Sequence, residues 1–156
     1  MIKILMVCMG NICRSPLAEG IMKSKLNTYG IDGYVDSAGT IAGHTGEAPD
    51  ERSCRVALKN DLDISMQKAR QIKAADLDEF DYIFAMDSAN YANILKLAKT
   101  EDQKKKVELI MNRVSPGLNL EVPDPYYGNI DEFVEVFEML NRCCEQIAKS
   151  LKHQKF

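Results

Sequence analysis

Metal ligands are scarce in this chain. It has two histidines, His44 and His153, and its five cysteines (Cys8, Cys13, Cys54, Cys143, Cys144) include no C-x2-C pair. Neither a metal site nor a bound cofactor is therefore expected. The odd cysteine count at low density excludes a secreted disulfide framework and favours a reduced, cytoplasmic protein. No apolar run approaches the roughly 18 residues that cross a bilayer. The opening residues carry a single lysine and no small-residue cleavage site, so they read as a strand and not a signal peptide. Basic residues are not in excess. A net charge of −3 excludes a broad footprint for nucleic acid or an acidic membrane. Lys104-Lys105-Lys106 is a local exception, expected to be a solvated turn. Repeats, linkers and low-complexity tracts are missing as well. What remains is one domain over residues 1–156, at 46% hydrophobic and 28% charged, able to bury a core without staples.

The informative stretch is Cys8-Met9-Gly10-Asn11-Ile12-Cys13-Arg14-Ser15-Pro16. The apolar run Ile4-Leu5-Met6-Val7 leads into it, and Leu17-Ala18-Glu19 leads out into a helix. Strand, short loop and helix in this order aim backbone N–H groups and a helix N-terminus at one point, an anion site. Cys8 stands at the loop's entrance and Arg14 at its exit. A thiol facing N–H groups and a guanidinium has its thiolate stabilised, and Ser15 can add a hydroxyl hydrogen bond. Gly10 permits close approach of the backbone, and Asn11 tolerates the left-handed region. The spacing lets the loop wrap a tetrahedral oxyanion and return Arg14, whose planar fork grips two phosphoryl oxygens.

Along the chain, Ile2–Val7 predicts a buried parallel strand. A helix capped by Ser15 follows, with Pro16 in its first turn and Gly30 at its end. Residues 34–38 predict a second strand and Gly39–Ala48 a long loop of the kind that carries function. Pro49-Asp50-Glu51 opens a helix with Cys54, Ala57, Leu58 and Leu62 as its apolar stripe. Tyr82–Met86 predicts a third strand, Asp87-Ser88 a cap, and Val107–Met111 a last strand. Val122-Pro123-Asp124-Pro125 cannot join regular structure and predicts a rigid loop. Ile130, Phe133, Val134, Phe137, Leu140, Cys143, Cys144 and Ile147 mark a long amphipathic helix. Strands alternating with helices imply an α/β fold, a four-stranded parallel sheet with helices on both faces.

The block from Cys8 to Glu19 resembles the signature of the low-molecular-weight protein tyrosine phosphatases. Asp36-Ser37-Ala38-Gly39-Thr40, Ala69-Arg70-Gln71-Ile72, Phe80-Asp81-Tyr82-Ile83, Met86-Asp87 and Asp124-Pro125-Tyr126-Tyr127-Gly128 are similar to further blocks of that family. The resemblance thus spans nearly the whole chain. It implies a three-layer αβα fold and metal-independent hydrolysis of phosphotyrosine through a cysteinyl-phosphate intermediate, with phosphotyrosine-containing proteins as partners and inorganic phosphate as product. By the same resemblance Cys8 is the nucleophile and Asp124 the general acid and then base. Arg14 and the loop residues Met9, Gly10, Asn11, Ile12 and Cys13 bind the phosphoryl oxygens. Ser15 stabilises the thiolate, Ser37 partners Asn11, and Asp87 supports the network. Tyr126 and Tyr127 wall the pocket. In the family a pair placed like Cys8 and Cys13 can form a reversible disulfide; a buried neighbour without a redox role is the other reading.

Three positions depart from or refine that pattern. No tryptophan is present, and Gly43 stands where many members place one, which predicts a weak pocket wall opposite the tyrosines. Gln67 replaces a histidine found in some relatives, removing a supporting hydrogen bond. Ile12 stands where relatives that prefer phosphoarginine carry threonine, which favours phosphotyrosine. An arsenate reductase of the same fold is the alternative, but it needs two further cysteines as a relay. Cys143 and Cys144 are adjacent on one helix, Cys54 stands alone, and core packing accounts for the pair. A phosphate-binding module without catalysis would lack one of Cys8, Arg14 or Asp124, and all three are present.

Overall fold

Alternation along the first strand organises the molecule. The computed structural model describes residues 1–154. Strand β1 (Ile2–Cys8) sends Ile4, Met6 and Cys8 into one apolar core and Leu5 and Val7 into a second. Successive residues of a strand point to opposite faces, so a strand apolar on both sides needs cover on both. Strands β2 (Gly33–Gly39), β3 (Tyr82–Ala85) and β4 (Val107–Leu109) complete a parallel sheet of order β2-β1-β3-β4. Phe84 and Met86 join the first core, Ile83 and Ala85 the second.

Helices α1 (Arg14–Thr28), α2 (Glu51–Lys59) and α6 (Ile130–His153) cover the first face. The short α3 (Asp76–Glu79) and α4 (Ser88–Leu95) cover the second, and α5 (Glu101–Lys105) precedes β4. This is the expected α/β fold with helices on both faces. Helix α1 ends as its sequence predicts. Gly30 takes φ +64°, and the N–H groups of Gly30 and Ile31 donate to Asn27 O and Leu26 O, satisfying carbonyls the helix leaves open.

Five local expectations are corrected. Ser15 is not the cap of α1; Cys13 holds that position without a side-chain bond, and the Ser15 hydroxyl is spent on the loop. The stripe assigned to α2 fails at Leu58, which is 60% exposed, because the buried face runs through Ser53, Val56 and Ala57. Strand β4 stops at Leu109, after which Ile110–Arg113 tightens into a 3-10 turn. The lysine run is not a bare turn. Lys104 and Lys105 end α5, where cations suit the helix dipole, and Lys106 Nζ donates to Leu77 O at 2.9 Å. In α6 the buried face takes Val136, while Val134 lies outward.

Candidate active site

Cys8 ends β1 in the middle of the sheet, where β2 pairs on one side and β3 on the other. At such a change of direction, the loops at the strands' carboxyl ends diverge and leave a crevice. The loop Met9–Cys13 fills it. Among the described residues, none of its five backbone N–H groups donates to a protein acceptor. Asn11 sits at φ 58°, which re-aims the chain within the loop. Beside it, Gly39 pairs with Cys8, and a Cβ there would lie 2.6 Å from Met9 O and 3.1 Å from Asn11 N. Only glycine lets β2 approach this loop.

Behind the loop runs a buried polar chain. Cys8 Sγ lies 3.0 Å from Ser15 Oγ. Asn11 Nδ2 donates to Ser15 Oγ (2.8 Å) and to Ser37 Oγ (2.9 Å), and Ser37 Oγ donates to Glu19 Oε1 (2.7 Å). The Arg70 N–H donates to Asn11 Oδ1 at 3.0 Å, while its guanidinium is held by Asp36 and Asp76. The expected Asn11–Ser37 and Ser15–Cys8 partnerships are therefore present. Gln67 stays out of this chain, donating instead to Pro16 O at 3.1 Å, and Lys23 Nζ meets the Glu19 carboxylate at 2.6 Å.

Arg14 is 2% exposed, and its Nη1 donates to Asp87 Oδ2 (2.7 Å) and Val122 O (3.0 Å). Asp87 uses its other oxygen to cap α4 through Asn90 N–H at 2.8 Å, so one carboxylate fixes both the helix and the guanidinium. Burial disfavours the charge on Arg14, but Cys8, the Asp87 hydrogen bond and Asp124 outweigh it and hold the group above the ordinary arginine range. Among the described residues its Nε–H has no acceptor. Asp124 arrives from the Pro-rich loop. Its Oδ1 accepts from Tyr126 N–H at 3.1 Å, a turn contact, and its Oδ2 stands 3.7 Å from Arg14 Nη2.

Cys8, Met9, Gly10, Ile12, Cys13, Arg14, Asp124, Tyr126 and Tyr127 line one pocket. Asn11, Ser15, Ser37 and Asp87 lie behind it and hold it. Cys13 differs sharply from Cys8 in setting. Burial above all, then Asp50, Cys8 and Asp124, push its thiol far up, so it stays protonated at neutral pH. All five cysteines are free thiols. Cys143 and Cys144 are buried in the core on α6 and do not line the pocket; burial pushes the Cys143 thiol up to about 11.

Gly43 supplies no side chain to the pocket wall, and the neighbouring His44 lines the pocket instead. Its ring lies beside Gly10 and 6.4 Å from that of Tyr126, with Nδ1 against the Glu47 carboxylate at 3.1 Å. Tyr126 meets Tyr127 edge-on at 4.9 Å. Arg52 holds this wall from below, donating to Tyr126 O and Gly128 O and stacking on Phe133 at 4.3 Å. Sequence reasoning missed His44, Arg52 and Glu19 as parts of the site. A histidine in a long glycine-rich loop was the available signal for the first; the other two are visible only in tertiary contacts.

Comparisons with known proteins agree with this geometry. The family model described as "Low molecular weight phosphotyrosine protein phosphatase" matches residues 3–156. The phosphatase of that name from Schizosaccharomyces pombe is 39% identical over 153 residues, covering 96% of this chain and 97% of its own. A crystal structure of protein tyrosine phosphatase from Entamoeba histolytica, with Hepes in the active site, superposes with a TM-score of 0.92 at 35% identity over 100% of both chains. The structure of YfkJ from Bacillus subtilis gives 0.90 at 34% identity over 100% of this chain and 98% of that one. By sequence and by fold, this chain belongs to the low molecular weight phosphotyrosine protein phosphatase family and is a protein tyrosine phosphatase.

Proposed function

We propose that the chain hydrolyses phosphotyrosine on proteins, and small aryl phosphates, in two displacements at Cys8. The observation carrying this reading is the convergence of Cys8, Arg14 and Asp124, from two distant parts of the sequence, on one pocket with five free loop N–H groups. The Cys8 thiolate attacks phosphorus and forms an S–P bond as the P–O bond to the phenol breaks. Protonated Asp124 hands its proton to the departing phenolate, a poor leaving group at neutral pH. The resulting carboxylate then takes a proton from water, whose oxygen attacks phosphorus, releasing phosphate and the thiolate. The loop N–H groups and Arg14, with its unengaged Nε–H, bind the equatorial oxygens where charge gathers. The charge is thus met by fixed donors, and the scheme includes no metal or cofactor.

Tyr126 and His44 hold the aromatic ring of the substrate between them, and Tyr127, 96% exposed, reaches past the rim toward the rest of the protein partner. The arsenate alternative has no support in the geometry. Its thiol relay would run from Cys8 through further cysteines, and only Cys13 shares the pocket.

The test is the dependence on leaving group. Cys8→Ser is expected to abolish turnover of an aryl phosphate while inorganic phosphate still binds. Asp124→Ala is expected to slow a poor leaving group by about 10²–10⁴-fold and a good one far less. Equal slowing of both would remove Asp124 from the role of acid.

A further inference from the structure

Glu19 lies on α1 about one turn beyond Ser15, is 4% exposed, and does not line the pocket. We propose that Glu19 is a positioning residue for the nucleophile: its carboxylate fixes the direction of the hydrogen bonds behind the loop and so commits the Ser15 proton to Cys8 Sγ. This rests on the reading of Cys8 as the nucleophile.

The direction follows from what each group can give. A carboxylate only accepts, and Lys23 Nζ pairs with Glu19 Oε2 at 2.6 Å. Ser37 has one proton and spends it on Glu19 Oε1 at 2.7 Å, so toward Asn11 it can only accept. The Arg70 N–H on Asn11 Oδ1 turns the amide so that Nδ2 faces both serines. Its two hydrogens go to Ser37 Oγ and Ser15 Oγ. Ser15 Oγ, already accepting, keeps its own proton for the sulfur 3.0 Å away. Asn11, Ser15, Ser37 and Glu19 are each at most 4% exposed, so water does not compete for these bonds.

A carboxylate acting simply as a nearby charge would disfavour the thiolate. Acting through the chain of donors, it favours it. The two effects have opposite signs, and that makes the proposal decidable. The measurement is the rate of Cys8 alkylation by iodoacetamide against pH, read by mass spectrometry of the Cys8 peptide. It needs no turnover, so it stands apart from the Cys8→Ser test of the reaction itself.

In Glu19→Gln, which replaces an acceptor-only group by one that also donates, the midpoint of the profile is expected to move up by about one pH unit. Alkylation on the acidic side then falls roughly tenfold. Ser37→Ala is expected to move it the same way, and the double variant no further than the larger single, because both break one chain. A midpoint unchanged or lowered in either folded variant overturns the proposal, including a variant that loses thermal stability alone. Should Glu19→Gln fail to fold, Ser37→Ala decides on the same criterion.

Discussion

Cys8 and Cys13 share one loop, yet only one of them is set up to react. Cys8 has a hydroxyl at 3.0 Å, Arg14 beside it and free N–H groups around it; Cys13 is desolvated and faces Asp50 and Asp124. Residue chemistry made the loop from Cys8 to Arg14 legible in the sequence, since a thiol and a planar cation around free N–H groups announce an anion site, whereas Asp124 in its Pro-rich loop was singled out only by the family resemblance. His44 was not legible, because a histidine earns a place in a wall only through what it lies against, here Gly10 and the tilted ring of Tyr126. An aromatic contact of this kind is worth about 0.5–1.5 kcal/mol. His44→Ala is accordingly expected to raise KM for an aryl phosphate by about two- to tenfold with a smaller change in kcat, in steady-state kinetics. A large loss in kcat with KM unchanged would place His44 in the chemistry and not in the wall.

Among the elements, the N-terminus of α2 ties the loop down. Asp50 caps the helix by accepting from Arg52 N–H at 2.8 Å, donates its own N–H to Ile12 O at 2.7 Å, and is gripped by the Arg52 side chain. Ser53 Oγ adds a bond to Cys13 O at 3.1 Å. Burial would raise the Asp50 carboxyl, but the Arg52 hydrogen bonds prevail and hold it below its ordinary 3.8. The folded state therefore binds this proton less readily than the unfolded chain. The stability it contributes is present above that value and is lost as pH falls through the folded one. Asp50→Ala is expected to cost about 1 kcal/mol at neutral pH, a fall of roughly 2–4 °C in Tm. The gap to the parent protein should narrow as the pH is lowered below about 4. A gap that widens in acid would contradict the assignment. The sequence showed that α2 begins here, from Pro49-Asp50-Glu51, but not which face it buries. Leu58 satisfied the helical period and still points to solvent, because Ser53 is drawn inward by the Cys13 carbonyl. The end of β4 was missed for a similar reason: Ile110 and Met111 are buried in the 3-10 turn as strand residues would be expected to be, so hydrophobicity does not distinguish the two there.

For the whole molecule, the fold was legible because β1 is apolar on both faces and strands alternate with helices. The position of the site followed from the same topology. A central strand flanked by β2 and β3 opens its carboxyl end to a crevice, and the loop there carries both the thiol and the guanidinium. What topology alone did not fix was the arrival of the Pro-rich loop, which Arg14 draws in through Val122 O and Asp124 while Arg52 fastens Tyr126 and Gly128. The proposed two-step phosphoryl transfer on these contacts requires that the protein be transiently phosphorylated. The most direct measurement is a rapid acid quench during turnover of an aryl phosphate, followed by peptide mass spectrometry. A single phosphoryl group on the Cys8 peptide, absent in Cys8→Ala, is the predicted result. Sustained turnover with no phosphorylated Cys8 peptide, or with the group on Cys13, would contradict it.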